Sequence, residues 1–256
     1  MTGSMSTQQQ KLFKILLLGD DCVDVYRYGS VDRLSPEAPV PVFVPKYDIV
    51  KEGMAGNVRK NLEALGCTVK FLHRETSTKT RLIDTRSKQQ IIRIDKDVES
   101  LPLTVDDALS DYDAIVISDY NKGTVSYDLI EDLRQCFSGP IFVDTKKTDL
   151  ARLEGCFIKI NELERSRATS FPEGVPSGLI VTYGERGVIY DEFVFGAKNV
   201  EVADVCGAGD TFLSALAYEY LNTQDMHLAI GFAINASAIT VQHLGNYAPT
   251  LEEING

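Results

Sequence analysis

AIVISDY, residues 114–120, is an almost continuous apolar run that stops at Asp119. Such a run suits a strand covered on both faces, because a half-exposed strand would alternate apolar with polar. The same design recurs at KILLLGD (14–20), PIFVDTK (140–146), CFIKIN (156–161) and GLIVTYG (178–184). Helical patterns lie between some of them. GNVRKNLEALG (56–66) puts Val58, Leu62 and Leu65 on one face and ends on Gly66, and SYDLIEDLRQC (126–136) is a second. Strands alternating with helices predict an α/β fold, with a mostly parallel central sheet and helices on both faces. Ligands bind such sheets outside the carboxyl ends of the strands. The polar residues that finish successive strands, Asp20, Asp119, Asp144, Asn161 and Thr182, are therefore expected along one rim.

Two stretches, about 22–50 and 78–97, break the alternation. VPVFVPKYDIV (40–50) is β-rich but interrupted by prolines, which marks an edge strand. TRLIDTRSKQQIIRID (80–95) reads as a hairpin turning near Ser87 and Lys88. These strands are expected to form a small β lid over the rim of a single domain spanning 1–256. The polar start, residues 1–10, lacks the apolar segment of a signal peptide and is expected to be a disordered tail.

The net charge of −11 argues against a nucleic-acid binder and against an anionic membrane surface as partner. No apolar run is long enough to cross a bilayer. The five cysteines form no CxxC pair, which fits a reducing, cytoplasmic location better than a disulfide framework or a zinc site. His73, His227 and His243 lack ligand spacing.

DVCGAGDTFL (204–213) raises the chemical question. Phe212, Leu213, Leu216, Ala217, Tyr220 and Leu221 recur at helical spacing after it, so GAGD opens a buried helix. Glycines there let a ligand approach the backbone, and free first-turn amides attract anions. A carboxylate at that place also caps a helix. For a lone G-x-G-D the capped turn is the simpler reading, and context decides.

The context is a resemblance to the ribokinase-like (PfkB) family of carbohydrate kinases. It is carried by Asp204, Gly207, Ala208, Gly209 and Asp210 in the C-terminal signature, by GMAGN (53–57) in the N-terminal one, and by NELE (161–164). RLSPEAPVPVF (33–43), IIRIDKD (91–97), SDYNKG (118–123) and VDTKKTD (143–149) narrow it towards D-glycero-D-manno-heptose-7-phosphate kinases. The resemblance implies ATP and Mg²⁺ as cofactors and a phosphorylated sugar as acceptor. It assigns Asp210 as base, with Gly207, Ala208 and Gly209 as phosphate cradle. It puts Asp24, Gly53 and Asn57 at the sugar, with Arg93 and Lys122, beside Lys79 and Arg81, as candidates for the acceptor's phosphate. Asn161, Glu162, Leu163, Glu164, Thr182, Gly184, Gly187 and Asn235 fall on the nucleotide side, with Asn161 and Glu164 holding Mg²⁺ through water. It also implies a homodimer joined through the lid strands, and it leaves the nucleotidyl step of ADP-heptose synthesis to a separate protein. A kinase for another sugar, of fructose or ribose type, and a degenerate nucleotide-binding protein are the competing readings.

Three features depart from the family pattern. Met54 stands where a second glycine is usual, and Cys206 where threonine is common. The chain also passes from TVKFL (68–72) almost directly to TSTKTR, where relatives carry a further helix and strand.

Overall fold

The structure is a computed structural model that describes residues 12–174 and 177–256. The expected N-terminal tail, residues 1–10, lies outside the described residues. The chain begins with β1 (Lys14–Gly19), turns into β2 (Asp21–Ser30) and returns as β3 (Val44–Met54), which runs straight into α1 (Ala55–Ala64). β4 (Thr68–Leu72), β5 (Thr76–Asp84) and β6 (Gln90–Lys96) follow. Then come β7 (Ala114–Asp119), α2 (Tyr127–Cys136), β8 (Ile141–Thr145), β9 (Phe157–Asn161) and α3 (Glu162–Arg167). The last part holds β10 (Leu179–Thr182), β11 (Val188–Tyr190), β12 (Phe193–Phe195), α4 (Ala208–Thr223), α5 (Met226–Thr240) and α6 (Leu251–Asn255).

Eight strands form one sheet in the order β12-β11-β10-β9-β8-β7-β1-β4. From β10 to β4 all pairings are parallel; β11 and β12 add an antiparallel edge. The apolar runs explain the burial. Ile15, Leu17, Val116 and Phe142 face one core shared with α1, α4 and α5, while Leu16, Leu18, Ile115 and Val143 face a second core shared with α2. The strands that sequence patterning expects to be doubly covered are so. Their carboxyl ends bring Asp20, Asp119, Asp144, Asn161 and Thr182 into line along one rim.

The other four strands make a separate sheet, ordered β3-β2-β5-β6. Here the prolines matter. The ladder of β3 starts at Val44, and before it only an isolated bridge joins Leu34 and Pro41. Lys88 takes a positive φ of 60° in the hairpin turn between β5 and β6. The shortening is visible too: three residues separate β4, the edge of the large sheet, from β5 in the small one. No described helix is long and apolar enough to cross a membrane.

Candidate active site

Gly207 is the N-cap of α4 and adopts a left-handed φ of 78°, which glycine takes at little cost. A Cβ there would also lie 2.9 Å from Asn57 Nδ2. The amides of Gly209 and Asp210, in the first turn, find no acceptor among the described residues, as expected where a helix starts. These two backbone donors are thus left open to a ligand.

Asp210 is buried at the mouth of this helix, and it does not cap it. Its Oδ2 accepts from Asn57 Nδ2 at 2.8 Å, and its Oδ1 accepts from the Tyr120 hydroxyl at 3.3 Å. Burial is the main reason its pKa rises, to about 6, with the Asp144 carboxylate pushing the same way. The Asn57 hydrogen bond, the Lys159 charge and the Tyr120 hydrogen bond offset only part of this. A carboxylate tuned towards neutrality at an anion-binding helix start suits proton transfer beside a phosphate.

Asn57 is held firmly beside Asp210. It is the third residue of α1, which packs on α4 through a polar seam. Asn61 Nδ2 donates to the Asn57 carbonyl at 2.8 Å, Thr211 Oγ1 donates to Asn61 Oδ1 at 2.8 Å, and the Ser214 hydroxyl reaches the Val58 carbonyl at 3.2 Å. The two signature motifs therefore meet side chain to side chain.

NELE closes β9 and opens α3 as a reciprocal capping box. Asn161 Oδ1 accepts from the Glu164 amide at 2.9 Å, and Glu164 Oε2 accepts from the Asn161 amide at 2.8 Å. Glu164 Oε1 takes Lys146 Nζ at 2.8 Å. The box fixes both oxygen donors at the cleft that also contains Tyr120, Asp144, Lys159 and Asp210. Glu162 instead pairs with Arg186, tying α3 to the turn at Gly184–Arg186, and Leu163 is exposed. Thr182 stands beside Asn161 in register and donates to the Ile160 carbonyl. Gly184 and Gly187 have φ of 59° and 95°; a Cβ at Gly187 would strike the Phe195 carbonyl, so this glycine lets the end of β12 pack against the turn that leads into β11. Asn235 lies on α5, two residues before Ser237, whose hydroxyl donates to the Ala208 carbonyl.

On the lid, Asp24 is buried and its Oδ1 accepts from Arg81 at 2.5 Å. A Cβ on Gly53 would sit 2.3 Å from Asp24 Oδ2, so the glycine makes room for that carboxylate. Arg93 forms a bidentate pair with Asp95, and Lys122 pairs with Asp97. Lys79 has no carboxylate partner among the described residues; its Nζ lies over the Tyr120 ring, 5.9 Å from the centroid. Met54 holds a φ of 50°, a conformation costly for a bulky side chain, and is buried outside the residues lining the cleft.

Tyr120 and Lys159 are the functional candidates that residue-by-residue reading missed. Tyr120 follows a strand-ending aspartate, and Lys159 interrupts an apolar buried strand; both were visible signals. A second groove, bordered by Leu103, Val105, Leu129 and Cys136, lies against α2 and contains none of the signature residues.

Residues 54–253 match the pfkB family of carbohydrate kinases. The chain is 35% identical over 299 positions to "Bifunctional protein HldE" of a Nitratiruptor species, covering 94% of this chain and 64% of that protein. A protein of the same name from Aliarcobacter butzleri is 30% identical, covering 94% of this chain and 63% of that one. The chain thus spans less than two thirds of these relatives. The 299 aligned positions exceed the chain's 256 residues, so the first relative carries insertions that this chain lacks. Among solved structures, ribokinase from Thermotoga maritima superposes with a TM-score of 0.71 at 17% identity, covering 95% of this chain and 98% of that one. Ribokinase from Arabidopsis thaliana, complexed with ribose and ATP, gives 0.68 at 14%, covering 96% and 98%. The fold is ribokinase-like, and the chain belongs to the pfkB family of carbohydrate kinases.

Proposed function

We propose that this chain transfers the γ-phosphoryl group of ATP to a hydroxyl of a phosphorylated sugar, with D-glycero-D-manno-heptose 7-phosphate as acceptor. The observation that carries the reading is Asp210, a buried carboxylate with a raised pKa beside unpaired first-turn amides. In this reading the acceptor hydroxyl gives its proton to a carboxylate oxygen of Asp210, while the amides of the 207–210 turn hold the transferring group. Such a base typically contributes about 10²–10⁴-fold, and positioning and electrostatics supply most of the rest. Asp24 and Asn57 orient the sugar, and Lys79, a lid cation without a carboxylate partner among the described residues whose Nζ lies over the Tyr120 ring at the cleft, is the best placed to meet the acceptor's own phosphate. ATP lies along the rim past Thr182 towards α5.

The donors near the phosphates fit Mg²⁺ held through water. They are oxygen donors, Asn161 and Glu164, and among the described residues no group of three or more His, Cys, Asp or Glu could hold a metal directly. When bound, Mg²⁺ would neutralise phosphate charge. The lid's outer face exposes Val50, Ile92 and Ile94, which supports a homodimer joined through these strands.

A second reading, an unphosphorylated hexose or pentose as acceptor, is favoured by the pairing of Arg81, Arg93 and Lys122 with aspartates. ADP release measured with heptose 7-phosphate, fructose and ribose separates the two. Turnover with the sugar phosphate supports the first reading, and turnover with only the free sugars favours the second. A folded protein that binds ATP and turns over none of them would refute both.

A further inference from the structure

The apolar run of β7 stops at Asp119, and the next residue is an aromatic with a polar tip. The backbone there is pinned. Asp20 is buried, and its Oδ2 accepts from the Tyr120 amide at 2.8 Å and from the Lys122 amide at 3.1 Å. Asp119 Oδ1 accepts from the Asn121 amide at 2.8 Å. Lys147 Nζ donates to Asn121 Oδ1 at 3.2 Å, which helps to hold Asn121 at a φ of 58°. Two carboxylates thus take three successive amides, and the turn aims the Tyr120 side chain at one place.

That place is Asp210. The Tyr120 hydroxyl donates to Oδ1 at 3.3 Å, while Asn57 Nδ2 donates to Oδ2 at 2.8 Å. The longer bond is the looser one, as hydrogen bonds of catalytic groups often are before substrate arrives. A carboxylate oxygen has room for two donors, so each oxygen keeps a lone pair for a third group. A quarter-turn of the carboxylate would break both bonds. Burial, and next the Asp210 charge, push the pKa of the Tyr120 phenol well above its ordinary value, so it stays a donor at neutral pH.

The other charged groups around Asp210 come from several elements. Asp144 on β8 pairs with Lys159 on β9, Lys146 after β8 pairs with Glu164 on α3, and Asp119 at the end of β7 pairs with Lys147. α1 presents the uncharged Asn57, and α5 carries no Asp, Glu, Lys or Arg. From the lid, Lys79 lies over the Tyr120 ring, 5.9 Å from its centroid, and Lys146 lies 4.8 Å from it. Among the described residues only Asn57 and Tyr120 hydrogen-bond to the Asp210 carboxylate.

We propose that Tyr120 is a positioning residue for Asp210, its hydroxyl fixing Oδ1 while Asn57 fixes Oδ2, so that a remaining lone pair faces the acceptor hydroxyl. The inference rests on the reading of Asp210 as the base. In that transfer the acceptor hydroxyl gives its proton to Asp210 as its oxygen bonds to the γ-phosphorus and the bond to the ADP leaving group breaks. Tyr120 keeps its own proton throughout. The alternative is a structural ring that only supports Lys146 and Lys79.

Tyr120→Phe separates the two, because it keeps the ring and removes only the hydroxyl. Carbon-13 NMR of aspartate-labelled protein, with Asp210→Asn to identify the signal, follows the Asp210 carboxyl through its titration. A hydroxyl donor favours the ionised form, so its loss is expected to raise the midpoint by about 0.5–1 pH unit from the wild type's value of about 6. The acid limb of kcat/KM should move up by the same amount, and kcat on the plateau should fall about tenfold. A folded Tyr120→Phe in which Asp210 titrates as in the wild type overturns the proposal, whatever its rate. A raised midpoint with kcat unchanged overturns it too, since the contact would then position nothing. If the midpoint rises but the wild type phosphorylates no sugar, the reading of Asp210 as base has failed, and the proposal falls with it.

Discussion

The two sheets of this molecule stand on opposite terms with water. In β1 and β7 all but one residue are buried, whereas all seven residues of β6 and the first seven of β3 are exposed. The large sheet is stabilised by what it covers, and its rim can therefore tolerate strained electrostatics such as a buried Asp210 whose pKa is raised. The lid has one polar face, carrying Asp24, Lys79 and Arg81, and an opposite face on which Val50, Ile92 and Ile94 are exposed among the described residues. In the proposed reading, chemistry belongs to the rim of the first sheet, and selection and assembly to the second.

The sharpest contrast comes from the rim. Asp210→Asn is expected to lower kcat by about 10²–10⁴-fold while the protein stays folded. It should also melt higher at pH 7.5. The folded pKa of about 6 lies above the ordinary 3.8, so above pH 6 the native state holds an ionised carboxylate that it disfavours. The gain is up to about 3 kcal/mol, and the two proteins should converge as pH falls towards 4. A variant that melts lower at neutral pH would contradict the assigned burial penalty.

Next in size, Leu17→Ala, at a fully buried position of β1, should cost about 2–5 kcal/mol in denaturant unfolding. Comparable losses for Ile94→Ala on the lid would erase the contrast between the sheets. Asp24→Asn should raise KM for the sugar about tenfold and leave nucleotide affinity alone, since Asp24 lies on the lid beside Arg81; isothermal titration with each ligand separates the two. The smallest effect on the chain is that of Ile94→Lys, within about 0.5 kcal/mol of stability. Its mass in solution should nonetheless fall from dimer to monomer, and an unchanged mass would remove the lid's outer face from the interface.

Much of this was legible in the sequence for a physical reason. A strand covered on both faces must be apolar throughout, so AIVISDY and its counterparts declare both the parallel sheet and the rim. The lid declares itself by breaking that rule. What stayed hidden depends on neighbours in space. Nothing in VDTKKTD or CFIKIN says that Asp144 and Lys159 lie side by side, because strand order is not written locally. Gly53 reads as a site for ligand approach, yet its missing side chain makes room for Asp24. Asn161 and Glu164 carry the spacing of a capping box, a structural reading that coexists with their place at the cleft. Met54 reads as a departure from a glycine pattern, and the structure adds that it holds a backbone angle suited to glycine.

The central claim, that Asp210 is the base, is tested most directly by kcat/KM for the sugar phosphate between pH 5 and 8. The account predicts a rate proportional to hydroxide at low pH, levelling at about pH 6 as Asp210 ionises. A profile that is flat down to pH 5 would contradict it.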